Sequence, residues 1–200
     1  MRLSELLSAL PASLAPRGGE PGSGEDPVIR GLTYDSRRVS PGDLFFALRG
    51  SSADGHDHLP QALALGAAAV VVEEWPAGVD LRGRPLVRVP DSRRALAPIA
   101  TRFYGDPSAE LALVGVTGTN GKTTVSQWIA RSLDGLGRRS AVIGTLGNGL
   151  VGALEDAKNT TPDAILLQKL LADYLRRGAQ AAAMEVSSHG LDQGRANGIK

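Results

Sequence analysis

The feature that most constrains the fold of this chain is a glycine-rich turn between an apolar run and a helix-compatible segment. The apolar run Leu111 to Val116 leads into Gly115-Val116-Thr117-Gly118-Thr119-Asn120-Gly121-Lys122-Thr123-Thr124, and Thr123 to Leu133 is compatible with a helix. Glycines let the turn aim successive backbone N–H groups at phosphate oxygens, and the helix N-terminus adds partial positive charge. The order of strand, turn and helix therefore predicts a phosphate-binding loop.

Two residues of the turn carry the chemistry of such a loop, and one position departs from the strict pattern. Lys122 is placed to reach the β- and γ-phosphates of a nucleotide, and the Thr123 hydroxyl to bind Mg²⁺. The strict pattern has glycine where Val116 stands, and the turn glycine lies instead at Gly118. The alternative is a structural turn that happens to carry Lys-Thr, but the flanking elements favour phosphate binding.

Composition excludes several classes of protein. The 200 residues are 42% hydrophobic and 22% charged, with a net charge of +1 and no cysteine. The small net charge gives no basic field for nucleic acid, and the lack of cysteine excludes disulfides and thiolate metal sites. Near the N-terminus Leu3, Leu6, Leu7 and Leu10 share one helical face, which favours an amphipathic helix over a signal peptide, and no stretch reaches the length of a membrane span. We expect a cytoplasmic protein that binds neither nucleic acid nor membrane.

The pattern along the chain predicts an α/β fold in two parts, each with a mostly parallel sheet. We expect a loop at 16–27, a small N-terminal α/β domain over 1–106, and a P-loop-type domain over 107–200. Predicted strands are 44–48, 68–72, 86–89, 111–116, 141–143 and 181–186. Predicted helices are 59–65, 91–103 with Asp91 as its cap, 123–133, and one capped by Thr161 that ends at Gly178. Because few strands follow the loop, we expect the second domain to be incomplete and the chain to be a fragment.

Other polar residues stand where these elements end. Glu185 closes a buried strand at the edge where open α/β sheets bind ligands, which makes it a candidate Mg²⁺ ligand. Ser187, Ser188 and His189 follow in a predicted loop at the same edge. Adjacent Ser and His residues rarely reach nucleophile–base geometry, and the Gly-x-Ser-x-Gly elbow is missing, so we interpret these residues as hydrogen-bonding donors for a polar substrate. Asn159 and Thr160 precede a helix and are candidates to face an anion. Arg195 is either an anion clamp or a solvated arginine.

A metal site at His56 and His58 is rejected, because no third and fourth ligands stand at suitable spacing.

Taken together, these segments resemble the Mur ligases of peptidoglycan synthesis. The resemblance is carried, in the order of the family, by residues 33–50 (TYDSRRVSPGDLFFALRG), 54–73 (DGHDHLPQALALGAAAVVVE), 115–125 (GVTGTNGKTTV), 159–164 (NTTPDA) and 184–195 (MEVSSHGLDQGR). The loop from Gly118 to Thr123 is the family's own variant, which accounts for the departure at Val116.

The resemblance implies an ATP-dependent amide ligase, of the branch that adds the third amino acid to UDP-N-acetylmuramoyl-L-Ala-D-Glu through an acyl phosphate. ATP and Mg²⁺ are the implied cofactors. The implied substrates are the UDP-N-acetylmuramoyl-dipeptide and a free amino acid, meso-diaminopimelate or L-lysine, and the enzyme is expected to be a monomer. The family's carbamylated lysine, downstream histidine and amino-acid-binding domain have no match within residues 1–200, so we expect this chain alone to be inactive.

Site residues follow from the same resemblance, position by position. The uridine diphosphate would face Tyr34, Ser36 and the loop of Ser51, Ser52 and Ala53, the loop by position only. ATP would bind to Gly118, Thr119, Asn120, Gly121, Lys122, Thr123 and Thr124. The muramoyl-dipeptide would bind to Asn159, Thr160, Thr161, Ser187, Gln193 and Arg195. Thr123 and Glu185 would hold the metal, and Lys122 and Glu185 would be catalytic.

Three alternatives remain open at this point. The chain could belong to a ligase that adds the D-Ala-D-Ala dipeptide, to a folylpolyglutamate synthase, or to a P-loop switch without ligase activity. The Asp35-Ser36-Arg37 segment speaks against the folate enzyme. The segment from Met184 to His189, with the Asn-Thr-Thr cluster, favours the enzyme that adds the third residue.

Overall fold

The computed structural model describes residues 1–16, 25–50, 53–75 and 77–200. These residues form two compact units, Met1–Phe103 and Tyr104–Lys200. Each unit has its own β-sheet. Most of the loop predicted at 16–27 lies outside the described residues. The roles assigned to the two predicted domains, 1–106 for the UDP-sugar and 107–200 for ATP, stay predictions.

The first unit contains a four-stranded sheet in which every neighbouring pair is parallel. Its strands are β1 (Gly31–Thr33), β2 (Asp43–Phe46), β3 (Ala69–Val72) and β4 (Leu86–Arg88), adjacent in that order. Its helices are α1 (Leu3–Leu7), α2 (Leu59–Ala64) and α3 (Ser92–Phe103).

The two central strands of this sheet are short, and apart from Asp43 their residues are apolar. All four residues of β2 and all four of β3 are buried, as expected of parallel strands covered on both faces. Asp91 caps α3 as predicted, because its carboxylate accepts a hydrogen bond from the Arg94 N–H at 2.8 Å. The leucine-rich N-terminus forms α1, which buries Leu3 and Leu6.

The second unit contains a five-stranded sheet in the order β5-β9-β6-β7-β8. Strands β5, β9 and β6 are parallel, and β7 and β8 extend the sheet as antiparallel neighbours of β6. The strands are β5 (Ala112–Val116), β6 (Ser140–Gly144), β7 (Gly147–Leu150), β8 (Ala153–Glu155) and β9 (Ala181–Glu185). The helices are α4 (Lys122–Gly135), α5 (Ala164–Arg176) and α6 (Ser188–Asp192). The predicted α/β class is therefore confirmed.

Three local predictions for this unit were wrong or incomplete. Thr161 does not cap α5, because the helix begins at Ala164 and the Asp163 carboxylate accepts the Leu166 N–H at 3.0 Å. Ser188 and His189 lie in the short helix α6 and not in a loop. The β7–β8 hairpin was not predicted from the sequence.

One face of the second sheet is packed against α5. Leu167, Leu171 and Tyr174 of this helix are buried together with residues of β6 and β9. This core fixes the strands whose ends carry the polar residues described below. In the described ranges, no helix combines the length and the apolar character that crossing a bilayer requires.

Candidate functional site

The candidate site lies where three parallel strands of the second unit end. Strand β5 leads into the loop 117–121, β6 is followed by Thr145, and β9 ends in Glu185. Since β5, β9 and β6 are neighbours and parallel, these ends meet at one edge of the sheet. Helix α4 begins at this edge, so its N-terminal N–H groups and partial positive charge are directed there.

The loop between β5 and α4 depends on glycine at two positions. Gly118 has φ +144° and Gly121 has φ +81°, values that side-chain-bearing residues rarely adopt. Thr119 and Asn120 between them are exposed, as is Thr124 in the first turn of the helix. Among the predicted nucleotide-binding residues, 118–121 and Thr124 are therefore exposed at the helix N-terminus, while Lys122 and Thr123 are half-buried.

Lys122, the first residue of α4, turns back over this loop. Its Nζ donates hydrogen bonds to the carbonyl oxygens of Gly118, at 2.6 Å, and Thr119, at 3.2 Å. The ammonium is therefore held beside the same backbone that would surround a phosphate.

Glu185 is the most constrained polar residue of the site. Its side chain lies inside the fold, with the residue only 2% exposed. Oε2 accepts hydrogen bonds from the hydroxyls of Thr123, at 2.9 Å, and Thr145, at 3.2 Å, while Oε1 accepts the Thr145 N–H at 2.8 Å. Burying a carboxylate is unfavourable unless donors surround it, and these three donors supply that requirement.

Thr145 and its neighbour Gly144 also belong to the site, although neither was predicted from the sequence. A Cβ atom added to Gly144 would overlap the Glu185 carboxylate, so only glycine leaves room for it. The signal available in the sequence was their position directly after a buried strand, the same position that singled out Glu185.

The predicted substrate segment 159–161 reaches the same edge. Thr161 is buried, and its hydroxyl donates to the Glu185 backbone oxygen at 3.0 Å and accepts the Ser187 N–H at 3.0 Å. The hydroxyl oxygens of Thr160 and Thr145 lie 3.0 Å apart. Asn159 is exposed. The tertiary contacts of Thr161 explain why it does not serve as a helix cap.

Arg195 is held by neighbours and is not a solvated arginine. Its Nη1 donates to the Thr161 carbonyl oxygen at 2.9 Å, and its Nε and Nη2 donate to Gln193 Oε1 at 2.9 and 2.6 Å. Ser187 caps α6 by accepting the Gly190 N–H at 3.0 Å. The structure thus brings together Thr161, Ser187, Gln193 and Arg195, which stood apart in the sequence.

The residues present fit a magnesium ion. Thr123 Oγ1 and Glu185 Oε2 are oxygen ligands of the kind that Mg²⁺ prefers, and they lie 2.9 Å apart behind the loop. No group of three or more His, Cys, Asp or Glu residues with metal-binding geometry occurs among the described residues. A single carboxylate and a hydroxyl match the way Mg²⁺ binds to proteins, because the ion keeps water and phosphate oxygens as its other ligands.

In the first unit, the described members of the predicted UDP-contacting set, Tyr34, Ser36 and Ala53, follow strands β1 and β2 at the carboxyl edge of the sheet. Tyr34 follows β1 and is 41% exposed. Ser36 is buried, and its hydroxyl donates to Gln61 Oε1 of α2 at 2.8 Å. Ala53 is exposed, and its carbonyl oxygen accepts the Gly50 N–H at 2.9 Å. Ser51 and Ser52 lie outside the described residues.

His56 has a structural role at this edge. Its Nε2 accepts the Glu73 N–H at 3.0 Å, so in the neutral ring Nδ1 carries the proton and donates to Asp54 Oδ1 at 2.6 Å. The backbone N–H of His56 also donates to Asp54 Oδ1, and this hydrogen bond is the main reason why the pKa of the Asp54 carboxyl lies below its ordinary value. These contacts hold the chain after Ala53 in place.

Comparison with known families identifies the class of protein. Residues 116–200 match the model described as Mur ligase middle domain, and residues 28–104 match the model described as Mur ligase family, catalytic domain. The chain belongs to the Mur ligase family.

Individual relatives and solved structures show which members of the family this chain is similar to. The chain is 54% identical over 175 residues to the UDP-N-acetylmuramoyl-L-alanyl-D-glutamate--2,6-diaminopimelate ligase of Pseudomonas syringae pv. tomato, covering 87% of this chain and 36% of the relative. It thus spans about a third of the length of the curated relatives it matches. A solved structure of a ligase of the same name is 37% identical with a TM-score of 0.69, covering 85% of this chain and 34% of that one. MurF ligase from Thermotoga maritima, solved in complex with ADP, is 26% identical with a TM-score of 0.55, covering 80% and 33%.

Proposed function

We propose that this chain is the UDP-sugar- and nucleotide-binding part of a cytoplasmic, ATP- and Mg²⁺-dependent ligase of peptidoglycan synthesis. The ligase joins 2,6-diaminopimelate to UDP-N-acetylmuramoyl-L-alanyl-D-glutamate and acts as a monomer. The name of a relative 54% identical over most of the chain supports this reaction and this amino acid. The observation that carries the proposal is the buried Glu185 carboxylate, held by Thr123 behind the phosphate loop.

The nucleotide side of the site neutralises charge. The first step brings two anions together, because the substrate carboxylate attacks the γ-phosphorus of ATP to form an acyl phosphate and release ADP. The amine of the incoming amino acid then attacks the acyl carbon, forms the amide and displaces phosphate. The loop N–H groups and the N-terminus of α4 bind the phosphates, and Lys122 leaves its loop carbonyls to contact the β- and γ-phosphates. Thr123 and Glu185 hold the metal ion.

The substrate side of the site provides positioning. Arg195 is fixed by Gln193 and Thr161, so its guanidinium is preorganised to bind an anionic group of the muramoyl-dipeptide. Asn159, Thr160 and Ser187 offer further polar contacts at the same edge. Tyr34, Ser36 and the 51–53 loop bind the uridine diphosphate in this proposal.

The sequence identities to the two kinds of ligase favour the diaminopimelate-adding reaction over the dipeptide-adding one. The named diaminopimelate ligase is 54% identical, whereas the MurF ligase from Thermotoga maritima is 26% identical. The ADP bound to that MurF supports nucleotide binding by this fold.

The test is Lys122→Ala in the full-length protein, meaning this chain with the remaining length that its relatives have. We expect the loss of ATP-dependent amide formation, because no other group replaces the ammonium at the β- and γ-phosphates. ADP release is measured with UDP-N-acetylmuramoyl-dipeptide and 2,6-diaminopimelate present. Lys169→Ala, an exposed lysine on α5, is the matched control and should retain activity.

Two outcomes would contradict the proposal. Ligation by Lys122→Ala at the wild-type rate would remove the loop from the mechanism. Nucleotide binding by the wild-type protein without substrate-dependent phosphate release would instead support a P-loop switch.

A further inference from the structure

Thr145 gives the Glu185 carboxylate a backbone donor and a side-chain donor at once. Its N–H donates to Oε1 at 2.8 Å and its hydroxyl to Oε2 at 3.2 Å. Because the two donors come from one residue fixed at the end of β6, they define the rotation of the carboxylate plane. Gly144 makes this approach possible, since any Cβ there would overlap the carboxylate.

The Thr145 hydroxyl also connects Glu185 to the segment 159–161. A hydroxyl has one proton, so when Thr145 donates to Glu185 Oε2 it can only accept from Thr160, whose Oγ1 lies 3.0 Å away. The hydrogen bonds therefore run from Thr160 to Thr145 to Glu185. This row joins the proposed substrate segment to the carboxylate that faces the phosphate loop.

We propose that Thr145 is a positioning residue that orients the Glu185 carboxylate for the magnesium ion. The proposal rests on the proposed function, which assigns the ion to Thr123 and Glu185. Replacing the Thr145 hydroxyl by a methyl group leaves Oε2 with the Thr123 hydroxyl, whose oxygen is also needed by the metal. The carboxylate then loses the contact that holds it while the metal binds.

The expected size of the effect follows from comparable sites. Residues that hydrogen-bond to a metal ligand typically change metal affinity or activity by about 10- to 100-fold when they are replaced. Because the Thr145 N–H remains in every variant, we expect the lower end of this range.

The experiment measures the binding of a non-hydrolysable ATP analogue to the full-length protein by calorimetry, with and without Mg²⁺. We expect Thr145→Val to weaken binding about 10-fold in the presence of Mg²⁺ and to leave binding without Mg²⁺ unchanged. Thr145→Ser keeps the hydroxyl and should restore the Mg²⁺-dependent affinity. Thr101→Val, in α3 of the other unit, is the matched control and should bind as the wild type does.

Thr145→Ala provides a second variant that is smaller than the native residue and cannot clash, in case the valine variant does not fold. The proposal is overturned if the folded variants keep wild-type affinity with Mg²⁺, if they lose affinity equally with and without Mg²⁺, or if serine fails to restore it. A wild-type protein whose nucleotide binding does not respond to Mg²⁺ would count against the proposed function itself, and thereby against this inference.

Discussion

Gly144 shows how much of the site depends on a missing side chain. Its backbone does not adopt a positive φ, so its importance comes from contact and not from backbone freedom. The Glu185 carboxylate occupies the volume that a Cβ would need. Because that carboxylate is buried and bonded to Thr123 and Thr145, it cannot move aside without giving up hydrogen bonds.

We expect Gly144→Ala to lower the rate of ligation strongly and the free energy of unfolding only moderately. The added methyl displaces the Glu185 carboxylate, which should lower ligation by about 10- to 100-fold, by analogy with the loss of contacts around a metal ligand. The cost in the free energy of unfolding should be about 1–3 kcal/mol, as for other overpacked sites. ADP release and urea unfolding measure the two effects.

Gly135→Ala is the control for this variant. An added Cβ there meets nothing within 4 Å, and the residue is the last of α4. Stability and ligation should both remain near wild type. Full activity of Gly144→Ala would show that Glu185 does not need its observed position.

Two residues near the start of helix α5 have different roles: Asp163 caps the helix, and Thr161 contacts the candidate site. Thr161 and Asp163 are both good caps by residue type. In the structure Asp163 accepts the Leu166 N–H, while the Thr161 hydroxyl is bonded to the backbone at Glu185 and Ser187.

We expect Asp163→Ala to lower the free energy of unfolding by about 1 kcal/mol, because an N–H of the first helical turn loses its acceptor. Asp163→Ser retains an acceptor oxygen and should recover most of that loss. Urea unfolding followed by circular dichroism measures both variants. If alanine and serine were equally stable, the cap would not contribute.

Local sequence patterns predicted some parts of this unit, and parts that depend on tertiary contacts were not predictable. Strand, loop and α4 were predictable because each is encoded by a local pattern, and Glu185 because it ends a buried strand. The β7–β8 hairpin was not, since the stretch 147–155 contains three glycines and a single β-branched residue, and its pairing with β6 is a tertiary contact. Gly144 and Thr145 were missed for a related reason: their contact with Glu185 depends on the register of β6 against β9.

At the scale of the whole molecule, the two units contain different titrating groups. Among the described residues, the carboxylates with a lowered pKa all lie in Met1–Phe103: Asp26, Asp35, Asp54 and Glu74. A carboxylate with a lowered pKa stabilises the folded state above about pH 4, and this stabilisation is lost as the pH falls and the group is protonated. Glu74 is exposed and the three aspartates are half-buried groups near the surface, where solvent screens their interactions, so each contribution is small. Tyr174 of the second unit behaves in the opposite way, because burial raises the pKa of its hydroxyl.

Tyr174 should therefore make the second unit sensitive to alkali. The folded-state pKa of Tyr174 lies above the ordinary tyrosine value of about 10, so above pH 10 the unfolded chain loses this proton while the folded protein keeps it. The free energy of unfolding therefore falls as the pH rises above about 10, by up to about 1.4 kcal/mol per pH unit. The hydroxyl is buried and has no hydrogen-bond partner among the described residues. Phenylalanine should fit the same space without the cost of burying that group.

We expect Tyr174→Phe to unfold with an unchanged free energy at pH 7, or one higher by about 1 kcal/mol, and to lose less stability than the wild type between pH 8.5 and 10.5. Urea unfolding at the two pH values, followed by circular dichroism, gives the comparison. Tyr104→Phe, in the same unit but less buried, is the control and should keep the alkaline loss of the wild type. An equal alkaline loss in Tyr174→Phe and wild type would mean that another group in the second unit is responsible, and that the Tyr174 hydroxyl is not insulated from water in solution.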